Sequence, residues 1–245
     1  MKGIIKPFFL LYQLFILIPL VIAATILTAL STIIISYIKS KPLLKTIPPR
    51  LWSKLVCFLS FITVKVEGLE QLDKNRSYIF VANHQSIFDI WVIYGWLPNP
   101  FSWIMKKELR KIPLVGNACE AAGHIFIDRS NPLAAKKSIE IAERKLTNGN
   151  CIVVFPEGTR SHDGNVGQFK RGAFSIANEI DLPIVPITII GAYERMSRKD
   201  FIIKPGKIKM IIHTPIENTT NLSDQETRKL ADEIREIVVT GFSQH

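Results

Sequence analysis

Residues 7–38 carry no charged side chain, an apolar run of 32 positions near the start of the 245-residue chain. A helix that spans a bilayer needs about 20 such residues, whereas a signal peptide has an apolar region of about 7–15. At about 1.5 Å per residue the run would measure about 48 Å as one helix, against a bilayer core of about 30 Å. It is therefore expected to tilt strongly, to kink at Pro19, or to lie partly in the interface. After Pro48-Pro49, Leu51, Trp52, Leu55, Val56, Phe58, Leu59 and Ile62 recur at helical spacing, with Arg50, Ser53 and Lys54 opposite. Two readings of this segment stand side by side: a core helix, or an interfacial helix that continues the membrane motif.

Beyond residue 62 the pattern changes to short apolar strands separated by helical periodicity. Residues 64–67, 78–82, 102–105 and 125–128 read as strands, with an apolar-periodic helix over 87–97. Asn131-Pro132 opens a long helix that ends near Asn148-Gly149, with asparagine as cap and proline at the first helical position. Residues 151–155 and 184–190 are continuous apolar runs of the kind buried in parallel sheets, although Pro186 argues against a central place for the second. Residues 207–213 begin by alternating, as an edge strand does, and Ser223-Asp224-Gln225-Glu226 is a capping box for a last helix over 224–240. Strands alternating with helices point to an α/β sheet covered on both faces.

Composition narrows the partners. The chain is 47% hydrophobic and 21% charged, which excludes disorder and fibrous repeats. Its net charge of +10 fits an anionic partner: nucleic acid, a membrane surface or an acidic substrate. The basic residues are scattered and no nucleic-acid motif accompanies them, so nucleic acid is not the expected partner. Lys39, Lys41, Lys45, Arg50 and Lys54 follow the apolar run, against Lys2 and Lys6 before it. That bias places the downstream domain on the cytoplasmic side, at the inner membrane if the cell is bacterial. Cys57, Cys119 and Cys151 form no close pair, which favours a reducing compartment.

Two constellations carry chemistry. In Asn83-His84-Gln85-Ser86-Ile87-Phe88-Asp89, a carboxylate five residues after a histidine lies about 140° away around a continuous helix. The two side chains meet only if His84 sits on the turn before the helix and Asp89 in its first turn. Asp89 would then take the proton of one ring nitrogen and leave the other basic, aimed at a substrate hydroxyl. The competing reading makes Ser86-x-x-Asp89 a capping box and His84 a polar turn residue. In Phe155-Pro156-Glu157-Gly158-Thr159-Arg160-Ser161, Gly158 permits close backbone approach and Arg160 offers a planar fork to a phosphate. The alternative there is a polar turn with a surface Arg–Glu pair. No P-loop, dinucleotide fingerprint, Gly-x-Ser-x-Gly elbow or His-Glu-x-x-His occurs, and the five histidines form no metal-ligand pattern, so no metal is expected.

These residues resemble the first and third signature blocks of the glycerolipid acyltransferases, and most of all those of the 1-acylglycerol-3-phosphate acyltransferases. Met105-Lys106-Lys107-Glu108-Leu109 through Ile112-Pro113, Gly116, Gly123 and Ile125-Phe126-Ile127-Asp128-Arg129 resembles the second block, and Val185-Pro186-Ile187-Thr188 the fourth. The resemblance implies an α/β fold with a mixed, largely parallel sheet flanked by helices over residues 63–245. An apolar two-helix membrane motif in residues 1–62 would precede it. It implies acyl transfer from coenzyme A or acyl carrier protein, as cosubstrate and with no other cofactor, to the sn-2 hydroxyl of lysophosphatidic acid. In those terms His84 is the base and Asp89 its partner. Arg160 and Gly158 lie in the phosphate-binding block, Lys106 supplies a second cation, and Glu157 and Thr159 belong to the same pocket. Other lysolipid acceptors, or a non-catalytic membrane-binding protein on the same fold, are the alternatives.

Overall fold

The apolar run forms one long helix in the computed structural model, which describes residues 5–38, 42–128, 149–180, 182–217 and 219–243. Helix α1 (Ile5–Tyr12) passes through a π-helical segment, Gln13–Leu17, into α2 (Ile18–Tyr37). Pro19 therefore lies inside a continuous helix, and the π segment just before it absorbs the irregularity that its ring and missing N–H impose. Ile18 N–H reaches back five residues to Gln13 O. Residues 7–37, whose most apolar 18-residue stretch has a mean hydropathy of 2.5, form among the described residues the one helix long and apolar enough to cross a bilayer.

The second segment folds as α4 (Ile47–Leu59), after a single turn, α3 (Pro42–Lys45). Its faces are arranged differently from the helical-wheel reading. Ser53, expected on the polar side, is fully buried together with Val56 and Cys57, while Leu51 and Phe58 are 64% and 76% exposed. The reason is packing against α5 (Phe88–Trp96), where Gly95 admits the small Ser53 side chain and Lys54 lies over the Trp96 ring. Arg50 turns inward to cap the end of α5, donating to Leu97 O and Pro98 O. The outward stripe is apolar, which suits a helix lying at a lipid interface.

Seven strands follow: β1 (Ile62–Glu67), β2 (Ile79–Ala82), β3 (Phe101–Lys106), β4 (Ile125–Ile127), β5 (Cys151–Val154), β6 (Ile184–Ile190) and β7 (Gly206–Ile212). They make one sheet in the order β1-β7-β6-β2-β5-β3-β4, parallel except where β6 meets β7. This is the mixed, largely parallel sheet the resemblance implies. β6 is central despite Pro186. The Pro186 carbonyl accepts from His213 N, and its ring nitrogen falls in the gap between the ladder pair Ile187↔Ile212 and the isolated bridge Ile184↔Ile216. β7 is interior rather than an edge. It alternates because one of its faces is open: Ile208, Met210 and Ile212 are buried, while Lys209 points outward to pair with Glu67 of β1 at 2.8 Å.

Helices α1, α2, α4 and α5 share one face of the sheet. The other is covered by α7 (Gly172–Ile180) and by α9 (Asp224–Ser243), which begins with the expected capping box, Ser223 N donating to Glu226 Oε2 at 2.7 Å. Two short helices, α6 (Val115–Ala121) and α8 (Ala192–Arg195), have too few turns to show a period in sequence. The helix expected from Asn131 onward lies outside the described residues.

The end of β2 is fixed to β6 by one side chain. Asn83, fully buried, donates from Nδ2 to Ile189 O at 2.9 Å and accepts at Oδ1 from Ile189 N at 2.7 Å. Replacing it leaves both Ile189 backbone groups buried and unpaired, at about 1–3 kcal/mol for each. Asn83→Ala is expected to lower stability by about 2–6 kcal/mol, measured as a shift in the denaturation midpoint of the detergent-solubilised chain. An unchanged midpoint would show that water replaces the side chain.

Candidate active site

β2 is a fully buried apolar strand, and its exit at Asn83 leads into a tight turn, 84–87, before α5 starts. His84 stands on that turn and Asp89 in the first turn of α5, with His84 Nδ1 at 2.9 Å from Asp89 Oδ2. The same oxygen accepts the backbone N–H groups of Gln85 at 2.6 Å and Ser86 at 2.8 Å. The carboxylate thus closes the turn before the helix and holds the imidazole. Negative charge at a helix N-terminus is favourable, and three hydrogen bonds compensate the fully buried carboxylate. With Nδ1–H engaged by Asp89, Nε2 carries the lone pair.

The turn after β5 closes over the imidazole. Phe155 stacks on His84 with ring centroids 3.9 Å apart and an interplanar angle of 8°, and Trp103 stacks on the far side of Phe155. Glu157 Oε1 accepts His84 N–H at 2.7 Å, and Oε2 accepts Gly167 N–H at 3.0 Å. His84 O in turn accepts Ser161 N–H at 2.8 Å. Burial pushes the Glu157 carboxyl above its ordinary range, opposed by those two backbone donors. Glu157 is therefore buried behind the site rather than lining it, and it fixes the backbone whose side chain Asp89 orients. Gly158 follows with φ +74°, the left-handed conformation that lets the chain turn sharply toward Arg160.

His84, Lys106, Gly158, Thr159 and Arg160 line one cavity of about 570 Å³, within the usual ~300–1,000 Å³ of ligand sites. Away from these residues its walls are largely apolar, with Ile87, Ile90, Trp103 and Val115 among them. Thr25, Thr28, Ala29 and Thr32 of α2 form one side, so the long apolar helix is part of the site. Arg198 is a third cation on the lining, which sequence reasoning missed. It donates to Thr159 Oγ1 at 2.9 Å and sits 3.0 Å from His162 Nε2. The local basic run Arg195, Arg198, Lys199 was the signal available for it. Cys119 also lines the cavity, where burial pushes its thiol up to about 11, protonated and poorly nucleophilic at neutral pH. The arrangement suits proton abstraction from a hydroxyl at an apolar site with cations at one end.

Because Glu157 accepts two N–H groups, an amide in its place would turn an NH₂ donor toward one of them. Glu157→Gln is expected to lower both the melting temperature and the activity, and Glu157→Asp to do likewise by shortening the reach. A Gln variant with full stability and activity would show that the turn is held without the paired acceptors.

The acyltransferase family model matches residues 63–190. The 1-acyl-sn-glycerol-3-phosphate acyltransferase alpha of Mus musculus is 35% identical over 189 residues, covering 76% of this chain and 66% of that protein. The chloroplastic 1-acyl-sn-glycerol-3-phosphate acyltransferase LPAT1 of Arabidopsis thaliana is 33% identical over 172 residues, covering 69% of this chain and 48% of its own length. The match thus spans about half to two thirds of these curated relatives. The crystal structure of the 1-acyl-sn-glycerophosphate (LPA) acyltransferase PlsC from Thermotoga maritima superposes with a TM-score of 0.80 at 31% identity, covering 100% of this chain and 97% of that one. With the family match over residues 63–190 and a relative that aligns along its whole length, this chain belongs to the acyltransferase family.

Proposed function

We propose that the protein transfers a fatty acyl group from a thioester to the sn-2 hydroxyl of lysophosphatidic acid, giving phosphatidic acid for phospholipid synthesis. The observation that carries this reading is the imidazole held by Asp89 on the wall of an apolar cavity whose lining includes Arg160 and Lys106. A lysophosphatidate phosphate meets these cations, and Arg160 is suited to two parallel charge-assisted hydrogen bonds. The names of the relatives point to the same acceptor.

In the proposed reaction His84 Nε2 takes the proton of the sn-2 hydroxyl as its oxygen attacks the thioester carbonyl. The C–O bond forms, the C–S bond breaks, and the departing sulfur takes the proton from the imidazolium. Asp89 keeps the ring in the required tautomer and stabilises its transient charge. The thioester is already activated, so no side-chain nucleophile is needed. The donor is acyl-coenzyme A or acyl carrier protein, with no further cofactor. Residues 1–62 hold the enzyme on the bilayer and residues 63–245 carry the chemistry on the cytoplasmic side, as the basic residues after the apolar run favour.

The test is thiol release from both donors by the purified full chain, with lysophosphatidate compared against a panel of other lysolipids. His84→Ala is expected to cost at least about 10²- to 10⁴-fold in kcat with folding retained, and Asp89→Asn to cost activity by freeing the ring. Near-normal turnover by folded His84→Ala would remove the mechanism. A preference for an acceptor without a phosphate monoester would remove the substrate assignment.

Acceptor kinetics separate phosphate binding from chemistry. Arg160→Lys keeps the charge and loses the fork, so lysophosphatidate use should weaken more than charge alone predicts. Lys106→Ala should raise the acceptor KM. If the two cations share one phosphate, the double variant will be non-additive. A defect confined to the donor would move Arg160 to the thioester side of the cavity.

A further inference from the structure

The loop between α8 and β7 ends in an unusual tip. Phe201 is 82% exposed, as open as Tyr37 at the end of α2, and basic residues flank it: Arg198, Lys199 and Lys204. Asp200 pairs with Lys204 at 3.5 Å, which leaves Lys199 and Arg198 as the net charge of the tip. A single exposed aromatic needs no explanation on its own. What distinguishes this one is how its loop is tethered.

Gln13 lies on the π segment of the long apolar helix and is 5% exposed. Its Nε2 donates to Phe201 O, and its Oε1 accepts Ile203 N–H at 2.9 Å. One buried side chain thereby takes up the backbone at the tip and just after it and seats the loop against that helix. Leu10, Leu14 and Ile16, within one turn of Gln13, are 45%, 54% and 49% exposed. The exposed tip is thus continuous with the apolar surface of the candidate membrane helix. The base of the loop is tied to the catalytic turn, because Ser86 Oγ donates to Met196 O at 2.6 Å. Arg198 joins the loop to the cavity through Thr159.

We propose that the 197–204 loop is a second membrane contact, in which Phe201 enters the acyl boundary of an anionic leaflet while Lys199 and Lys204 remain at phosphate level. The lysines keep their charges in the headgroups and lay their stems along the apolar region, as long basic side chains do at such boundaries. Because Gln13, Ser86 and Thr159 all hold this loop, its depth fixes the height of the catalytic turn and the cationic lining above the hydrocarbon. The proposal requires the apolar helix to be in a bilayer and does not depend on which acceptor the site uses.

The test places a nitroxide on the full chain in nanodiscs of phosphatidylcholine and phosphatidylglycerol. Labels go on Phe201→Cys, on Gln225→Cys of α9 across the sheet, and on Ile26→Cys of the apolar helix. All three are made in a Cys119→Ala background, since Cys57 and Cys151 are buried. Collision with oxygen against a water-soluble nickel chelate gives a depth parameter for each position. A positive shift at 201 and 26 with a negative value at 225 is the expected result. A negative value at 201 with 26 positive overturns the loop contact alone. Negative values at both overturn it together with the membrane placement of the helix.

Discussion

One oxygen atom, Asp89 Oδ2, holds the site together. It accepts the His84 ring and two successive backbone N–H groups, while the carboxylate is shut away from solvent at the start of α5. A buried carboxylate is tolerable only when it is richly hydrogen-bonded, so the turn that supplies those donors cannot adopt another shape while the charge is there. The exit direction of β2, the start of α5 and the aim of the imidazole are therefore consequences of a single solvation requirement. The other oxygen, Oδ1, has no partner among the described residues, so the burden falls on one atom.

A second carboxylate works from the other side. Glu157 does for the backbone of His84 what Asp89 does for its ring, and Phe155 presses on the ring face between them. The coulombic influence of Asp89 adds to the burial that raises the Glu157 carboxyl. Each carboxylate has its own set of N–H donors. The histidine is consequently fixed in position, tilt and tautomer before any ligand arrives, which is the preorganisation a general base requires.

Much of this was legible in the order of residues, for identifiable reasons. Continuous apolar runs marked the buried strands, and the impossibility of a His–Asp contact on an unbroken helix forced the turn that is observed. The block 155–161 was readable as a ligand turn, yet the task of Glu157 was not, because two backbone donors from distant segments leave no trace in composition. Ser53 was misplaced for a related reason, and the stripe of Leu51 and Phe58 left two readings open. Helical periodicity identifies two faces and does not say which of them meets α5 and which meets an apolar medium. The alternation of β7 reported an open face, and only tertiary pairing places such a strand inside a sheet. Arg198 and the α2 wall of the cavity depend on contacts more than 35 residues away in the chain, beyond what any local pattern encodes.

That wall bears on how a lipid enters and leaves. Thr25, Thr28, Ala29 and Thr32 belong to a helix whose other side chains stand open in the apolar run, so the cavity is separated from that medium by a single helix. A fatty chain passing through water forfeits about 0.8 kcal/mol for each methylene it exposes, or roughly 12 kcal/mol for fifteen of them. Added to the other barriers to release, that cost slows departure by that route about 10⁹-fold. A chain that slides past α2 exchanges one hydrocarbon environment for another, and the hydrophobic term nearly cancels. On the proposed reading, the helix that holds the enzyme at the membrane also spares product release the hydrophobic cost of water, so anchoring and turnover cannot be separated by cutting it away.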